Sequence, residues 1–157
     1  MIKINKKSDS IVIVIHEIYG INQHIKSYCE LLSEQNFDVL CPNLLDKINP
    51  YDYSQEETAY HNFIETVGFT NAVKTIQNLV VELKDDYNKI FIVGFSVGAT
   101  VAWLCSELKY LNGIVGYYGS RIRNYIDIQP KCPTMLYFPE EEPSFSVNEL
   151  VATLNNK

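Results

Sequence analysis

The sequence predicts an α/β fold of three layers, with a mostly parallel sheet between two layers of helices. Three observations carry this. Ile11 to Ile15 (IVIVI) is a continuous β-branched run, as expected of a central parallel strand buried on both faces. Strand-like runs recur at Phe37–Cys41, Ile90–Val93, Ile114–Tyr118 and Thr134–Phe138, separated for the most part by stretches of helical periodicity. Lys89 to Cys105 (KIFIVGFSVGATVAWLC) reads as strand, glycine-flanked turn and helix in immediate succession. Strands alternating with helices imply right-handed crossovers on both faces of the sheet, with functional loops at the strands' carboxyl ends.

In chain order, Ile2 to Asn5 reads as a short edge strand before the turn Lys7-Ser8-Asp9-Ser10. The central strand runs into His16-Glu17-Ile18-Tyr19-Gly20. Asn22 is placed as an N-cap for a helix that buries Ile25, Tyr28, Cys29 and Leu32 and stops at Asn36, a residue that tolerates the left-handed C-cap conformation. Pro42 stops the next strand, and Asn43 to Tyr53 is irregular. Ser54 and Glu57 have capping-box spacing. A short helix with the stripe Tyr60, Phe63, Ile64, Val67 is expected to end at Gly68. A longer helix starting at Thr70 or Asn71 buries Val73, Ile76, Leu79, Val80 and Leu83. Asn112-Gly113 closes the helix that follows the glycine-flanked turn. Ser120 to Pro130 reads as a polar loop, and Ser146 with Glu149 caps a last helix carrying Val147, Leu150, Val151 and Leu154.

The 157 residues fit one domain, 1–157, with a sizeable core. A net charge of −6 and the lack of a basic patch argue against a nucleic-acid partner. No signal peptide or membrane-spanning stretch is evident. Cys29, Cys41, Cys105 and Cys132 lack metal-ligand spacing and read as reduced, buried thiols in a cytoplasmic protein that needs neither metal nor cofactor.

Gly94-Phe95-Ser96-Val97-Gly98 is the segment that carries chemistry. In a strand-turn-helix context, G-x-S-x-G is a nucleophile elbow, which stands its serine hydroxyl exposed beside a helix start. The plainer alternative is a serine that merely caps the helix.

The segments IVIVIHEIYGINQHIKSYCELLSEQNFDVLCPNLLD, KIFIVGFSVGATVAWLC, GIVGYYG and CPTMLYFP together resemble the dienelactone hydrolase family of the α/β-hydrolase fold, with His16-Glu17-Ile18-Tyr19-Gly20 and the Asn22-x-His24-Ile25 pattern the most specific match. The resemblance implies a serine hydrolase acting on a small ester or lactone through an acyl-Ser96 intermediate. It implies the N–H groups of Val97 and Ile18 as oxyanion donors and Glu17 as a residue that helps to activate the nucleophile. The family's acid follows the Thr134–Phe138 strand, where Glu142 is the best positional match and Glu141 stands close behind.

The base departs from the pattern. His16, His24 and His61 all precede Ser96, so the order serine, acid, histidine is not met within this sequence. The family's last strand and helix are expected to be missing. Three readings follow: a hydrolase with an unconventional base, an impaired pseudo-hydrolase or binding protein, or an enzyme completed by a partner chain. His16 and His61 are the candidate substitute bases, and His24 reads as a helix N-terminal residue turned to solvent. Arg121 in the loop after GYYG suits a substrate carboxylate, with Arg123 beside it. Tyr19, Phe95, Tyr117 and Tyr118 are candidate pocket aromatics. A sheet edge at Thr134–Phe138 would be covered by a homo-oligomer.

Overall fold

The computed structural model describes residues 1–157. Its strands are β1 (Ile2–Ile4), β2 (Ser10–Ile15), β3 (Asp38–Cys41), β4 (Lys89–Phe95), β5 (Gly113–Tyr117) and β6 (Thr134–Tyr137). They form one sheet in the order β1-β3-β2-β4-β5-β6. Only β1 is antiparallel to its neighbour; the other pairs are parallel, as the continuous apolar runs require. All six residues of β2 are buried. Its alternate side chains serve two cores: Ile11, Ile13 and Ile15 pack with Ile76, Val80 and Val101, whereas Val12 and Val14 pack with Ile25 and Cys29.

The helices are α1 (Gln23–Glu34), α2 (Glu56–Asn62), α3 (Gly68–Leu83), α4 (Val97–Cys105) and α5 (Val147–Leu154). From β2 the chain crosses α1 to reach β3 on one side, then returns to lay β4 on the other. The carboxyl ends of β2 and β4 therefore flank the point where strand order reverses, the place where open α/β sheets hold their ligands. His16-Glu17-Ile18 leaves one of those ends and Ser96 the other.

Several turns follow the sequence. The Asn22 side chain accepts the Ile25 N–H at 3.1 Å, Asn36 sits at φ 64°, and Ser146 Oγ accepts the Glu149 N–H at 3.3 Å. Three expectations are corrected. The capping box is built by Asp52 and Gln55: Asp52 accepts the Ser54 N–H and Gln55 accepts the Asp52 N–H, both at 2.9 Å. Ser54 already lies inside the 3₁₀ turn Tyr53–Gln55, past the position a cap must occupy. Gly68 does not simply end a helix. At φ 67° it redirects the chain from a π-helical turn, Phe63–Val67, into α3, which starts there and buries Ala72 along with Ile76 and Val80. The Ser120–Pro130 segment opens with a 3₁₀ turn, Ser120–Asn124, anchored by fully buried Ile122.

β6 ends the sheet. Met135 and Tyr137 are 54% and 48% exposed. The four cysteines are free, with Cys132 partly buried and the others buried. No helix is long and apolar enough to cross a membrane.

Candidate active site

Ser96 sits between β4 and α4 at φ 55°, ψ −115°, a left-handed backbone that a residue with a Cβ rarely adopts. Its N–H donates to the Tyr117 carbonyl at 2.9 Å, and its own carbonyl accepts the N–H groups of Ala99 and Thr100 at 3.1 and 3.2 Å. The flanking glycines are a steric necessity. A Cβ on Gly94 would stand 2.1 Å from the Gly98 carbonyl oxygen, and one on Gly98 would stand 2.3 Å from the Ile15 carbonyl oxygen. The Ser96 side chain makes no capping bond to α4, so its hydroxyl is not occupied as a plain N-cap.

A cavity of about 320 Å³ opens at Ser96, lined also by Ile18, Val97, Tyr60, Arg121 and Arg123. Val97 opens α4, so its N–H has no carbonyl four residues back within the helix. The Ile18 N–H takes part in no backbone hydrogen bond. Arg121 Nη2 donates to the Tyr60 hydroxyl, and Arg123 Nη1 to the Ser120 carbonyl, each at 2.5 Å. Arg123 also lies over the Phe145 ring, 4.7 Å from its centroid. Neither arginine pairs with a carboxylate: the single salt bridge is Lys84 to Asp85 at the surface. Glu56 is the one acidic residue in the cavity lining.

Glu17 is buried. Its Oε1 accepts the Tyr118 hydroxyl at 3.0 Å, and its Oε2 is buried without a partner. Tyr118 reaches it from a strained position of its own, at φ 45° after β5. Burial first, then the Glu17 charge, pushes the Tyr118 phenol well above its ordinary range, so it stays a proton donor.

The histidines do not converge on Ser96. His16 is 1% exposed, with Nδ1 2.6 Å from the Glu17 carbonyl oxygen and Nε2 receiving the Leu44 N–H at 2.9 Å. An Nε2 that accepts leaves Nδ1 as the protonated nitrogen, so the ring is neutral and both nitrogens are engaged. Burial lowers its pKa to about 4. This corrects the reading of His16 as a base: it ties the loop after β2 to the loop after β3. His61 is exposed on α2 in a neighbouring groove with Glu57, Thr58 and Ile64 that shares Tyr60 with the Ser96 cavity; it is not part of that cavity's lining and makes no hydrogen bond to Ser96. His24 is exposed and packs edge-on against Phe95, with centroids 4.9 Å apart.

Glu142 forms a bridge with Phe145 and is not part of the cavity lining, although Ser144 of the same turn is. Glu141 is exposed. Tyr19 is also displaced from its expected place: it packs edge-on against Tyr53, at 4.7 Å, away from the cavity lining. Phe95 and Tyr117 stack at 5.1 Å on the far face of the sheet, with α1. The cavity residues that the sequence did not single out are Glu56, Thr100, Ser120 and Ser144. Tyr60 was visible only as part of an apolar stripe.

A parallel sheet with a strained serine elbow at its switch point defines an α/β-hydrolase fold. The chain belongs to the dienelactone hydrolase family, whose profile matches residues 2–157. It is 43% identical over 147 residues to an uncharacterized protein of Bacillus subtilis (strain 168), YczH, a match covering 94% of this chain and 72% of that one. It is 24% identical over 130 residues to a carboxymethylenebutenolidase of Pseudomonas putida, covering 77% of this chain and 55% of the relative. Among solved structures, a dienelactone hydrolase-like promiscuous phosphotriesterase from metagenomic libraries superimposes with a TM-score of 0.69 at 15% identity, covering 93% of this chain and 63% of that chain. The chain thus spans about half the length of the carboxymethylenebutenolidase.

Proposed function

We propose that this chain carries the nucleophile half of a carboxylic-ester hydrolase site of the dienelactone hydrolase type, acting on a small ester or lactone. The observation that carries the reading is the left-handed backbone of Ser96 in a cavity shared with Ile18 and Val97. Ser96 Oγ attacks the substrate carbonyl carbon and its proton passes to a base. The carbonyl π electrons collect on oxygen, where the Val97 and Ile18 N–H groups stabilise them. Collapse expels the alcohol or opens the lactone, leaving acyl-Ser96, which water then hydrolyses. Glu17, held by Tyr118 through one oxygen and unpaired at the other, assists the serine's activation. Arg121 binds a carboxylate on the substrate, with Arg123 beside it.

A second reading is favoured by one observation: no histidine of this chain hydrogen-bonds Ser96 or lines its cavity. In that reading the elbow binds and acylates but does not turn over, or a partner chain supplies the histidine and Glu142 serves as its acid. Hydrolysis of p-nitrophenyl acetate by the purified chain, beside Ser96→Ala and Glu17→Gln, separates the two. Sustained turnover lost in Ser96→Ala supports the hydrolase. A single burst without turnover supports an elbow lacking its base. The exposed β6 edge, with Met135 and Tyr137, is the surface a second copy would cover, and sedimentation as a monomer at high concentration would refute that.

A further inference from the structure

We propose that Thr100 is a specificity-determining residue of the Ser96 cavity: its hydroxyl hydrogen-bonds an oxygen of the substrate carboxylate that Arg121 and Arg123 attract. The inference rests on the hydrolase reading above and adds to it a residue that selects the substrate. A threonine inside a helix ordinarily turns its hydroxyl back to the carbonyl four residues earlier. Three threonines of this chain do so: Thr66 to Asn62 at 2.7 Å, Thr75 to Asn71 at 3.0 Å and Thr153 to Glu149 at 2.9 Å; Thr58 and Thr70 do not, but both are exposed to water.

Thr100 does not. The carbonyl four residues before it belongs to Ser96, and that oxygen already receives the N–H groups of both Ala99 and Thr100. The same tight elbow that exposes the nucleophile therefore denies Thr100 its usual partner. Its Oγ1 is left buried with no hydrogen bond at all, on a residue with 0% exposure. A buried hydroxyl without a partner is destabilising, and valine would fill the same space without that penalty. Thr100 lines the cavity that holds Ser96, Arg121 and Arg123, and a small turn of its buried side chain about χ1 would bring the hydroxyl to an oxygen bound there, which supplies the missing partner. The charge is suitable: two guanidinium groups without a carboxylate partner outweigh the single Glu56. A carboxylate has acceptor lone pairs for both arginines and for one hydroxyl donor.

The test uses a matched pair of esters, 4-nitrophenyl hemiglutarate and 4-nitrophenyl valerate, equal in acyl length and differing in the terminal carboxylate. Thr100→Val is expected to lower kcat/KM for the hemiglutarate about tenfold relative to the valerate, and Thr100→Ser to keep the wild-type ratio. Thr100→Val should also melt no lower than wild type, because the hydroxyl it removes has no internal partner. An unchanged ratio in Thr100→Val overturns the proposal whatever its stability. If wild type hydrolyses neither ester, the hydrolase reading fails, and calorimetric titration with glutarate decides this one. Binding about tenfold weaker in Thr100→Val supports it; equal binding, or none to wild type, overturns it.

Discussion

Gly98 lies so close beneath the end of β2 that a Cβ on it would stand 2.3 Å from the Ile15 carbonyl oxygen. The elbow helix is therefore pressed directly against the strand whose following loop carries Glu17 and Ile18, and the second glycine of the G-x-S-x-G pattern makes that approach possible. Gly98→Ala is expected to cost about 3 kcal/mol, because the obstacle is backbone and cannot rotate away. Urea denaturation of the variant checks this. A midpoint within error of wild type would contradict the close approach of α4 to the end of β2.

Tyr118→Phe removes the one hydrogen bond that Glu17 receives from a side chain and leaves both carboxylate oxygens unpaired in a buried site. The expected loss is about 1–3 kcal/mol of stability at neutral pH. The urea midpoint reads it directly. Tyr118→Phe in a Glu17→Gln background should cost less, since the charge that needs the donor is gone; equal costs in both backgrounds would contradict the coupling.

His16 gives the fold an acid-sensitive point. Its folded pKa is about 4, lowered by burial from the ordinary 6.5, so the unfolded chain binds the proton first as pH falls. The stability linked to neutral His16 is complete above about pH 6.5, falls between there and about pH 4, and is flat below. The full loss is about 3 kcal/mol. His16→Asn should flatten the melting temperature against pH in that window while lowering it at neutral pH, where the bonds to Glu17 and Leu44 are lost. An identical slope in wild type and variant would contradict this.

The parts of the molecule legible in the sequence are those where one local rule decides the outcome. β2 announced itself because burial on both faces leaves no room for polar residues, and Asn22 and Asn36 because caps need particular side chains. The elbow was legible for the same reason: two glycines and a serine at fixed spacing are demanded by backbone contact. What escaped depends on three-dimensional competition. Asp52 takes the cap that residue spacing assigns to Ser54, and the π-helical turn before Gly68 has no composition of its own. His16 and Glu17 follow the last residue of β2, where strand alternation no longer predicts direction, and both are buried. Thr100 looked like one more residue of an apolar helix. Only the folded structure shows that the Ser96 carbonyl is already taken by two N–H groups and that the Thr100 hydroxyl is left without a partner.

In the proposed function Ser96 is a nucleophile held ready by its backbone, beside N–H donors that stabilise negative charge. Reaction with a fluorophosphonate, followed by peptide mass mapping, tests it most directly, because phosphonylation needs the hydroxyl and the oxyanion donors but no subsequent hydrolysis. One adduct is expected, on Ser96, and it is absent in Ser96→Ala. An unmodified Ser96 peptide after prolonged incubation, or an adduct that persists on another residue in Ser96→Ala, would contradict it.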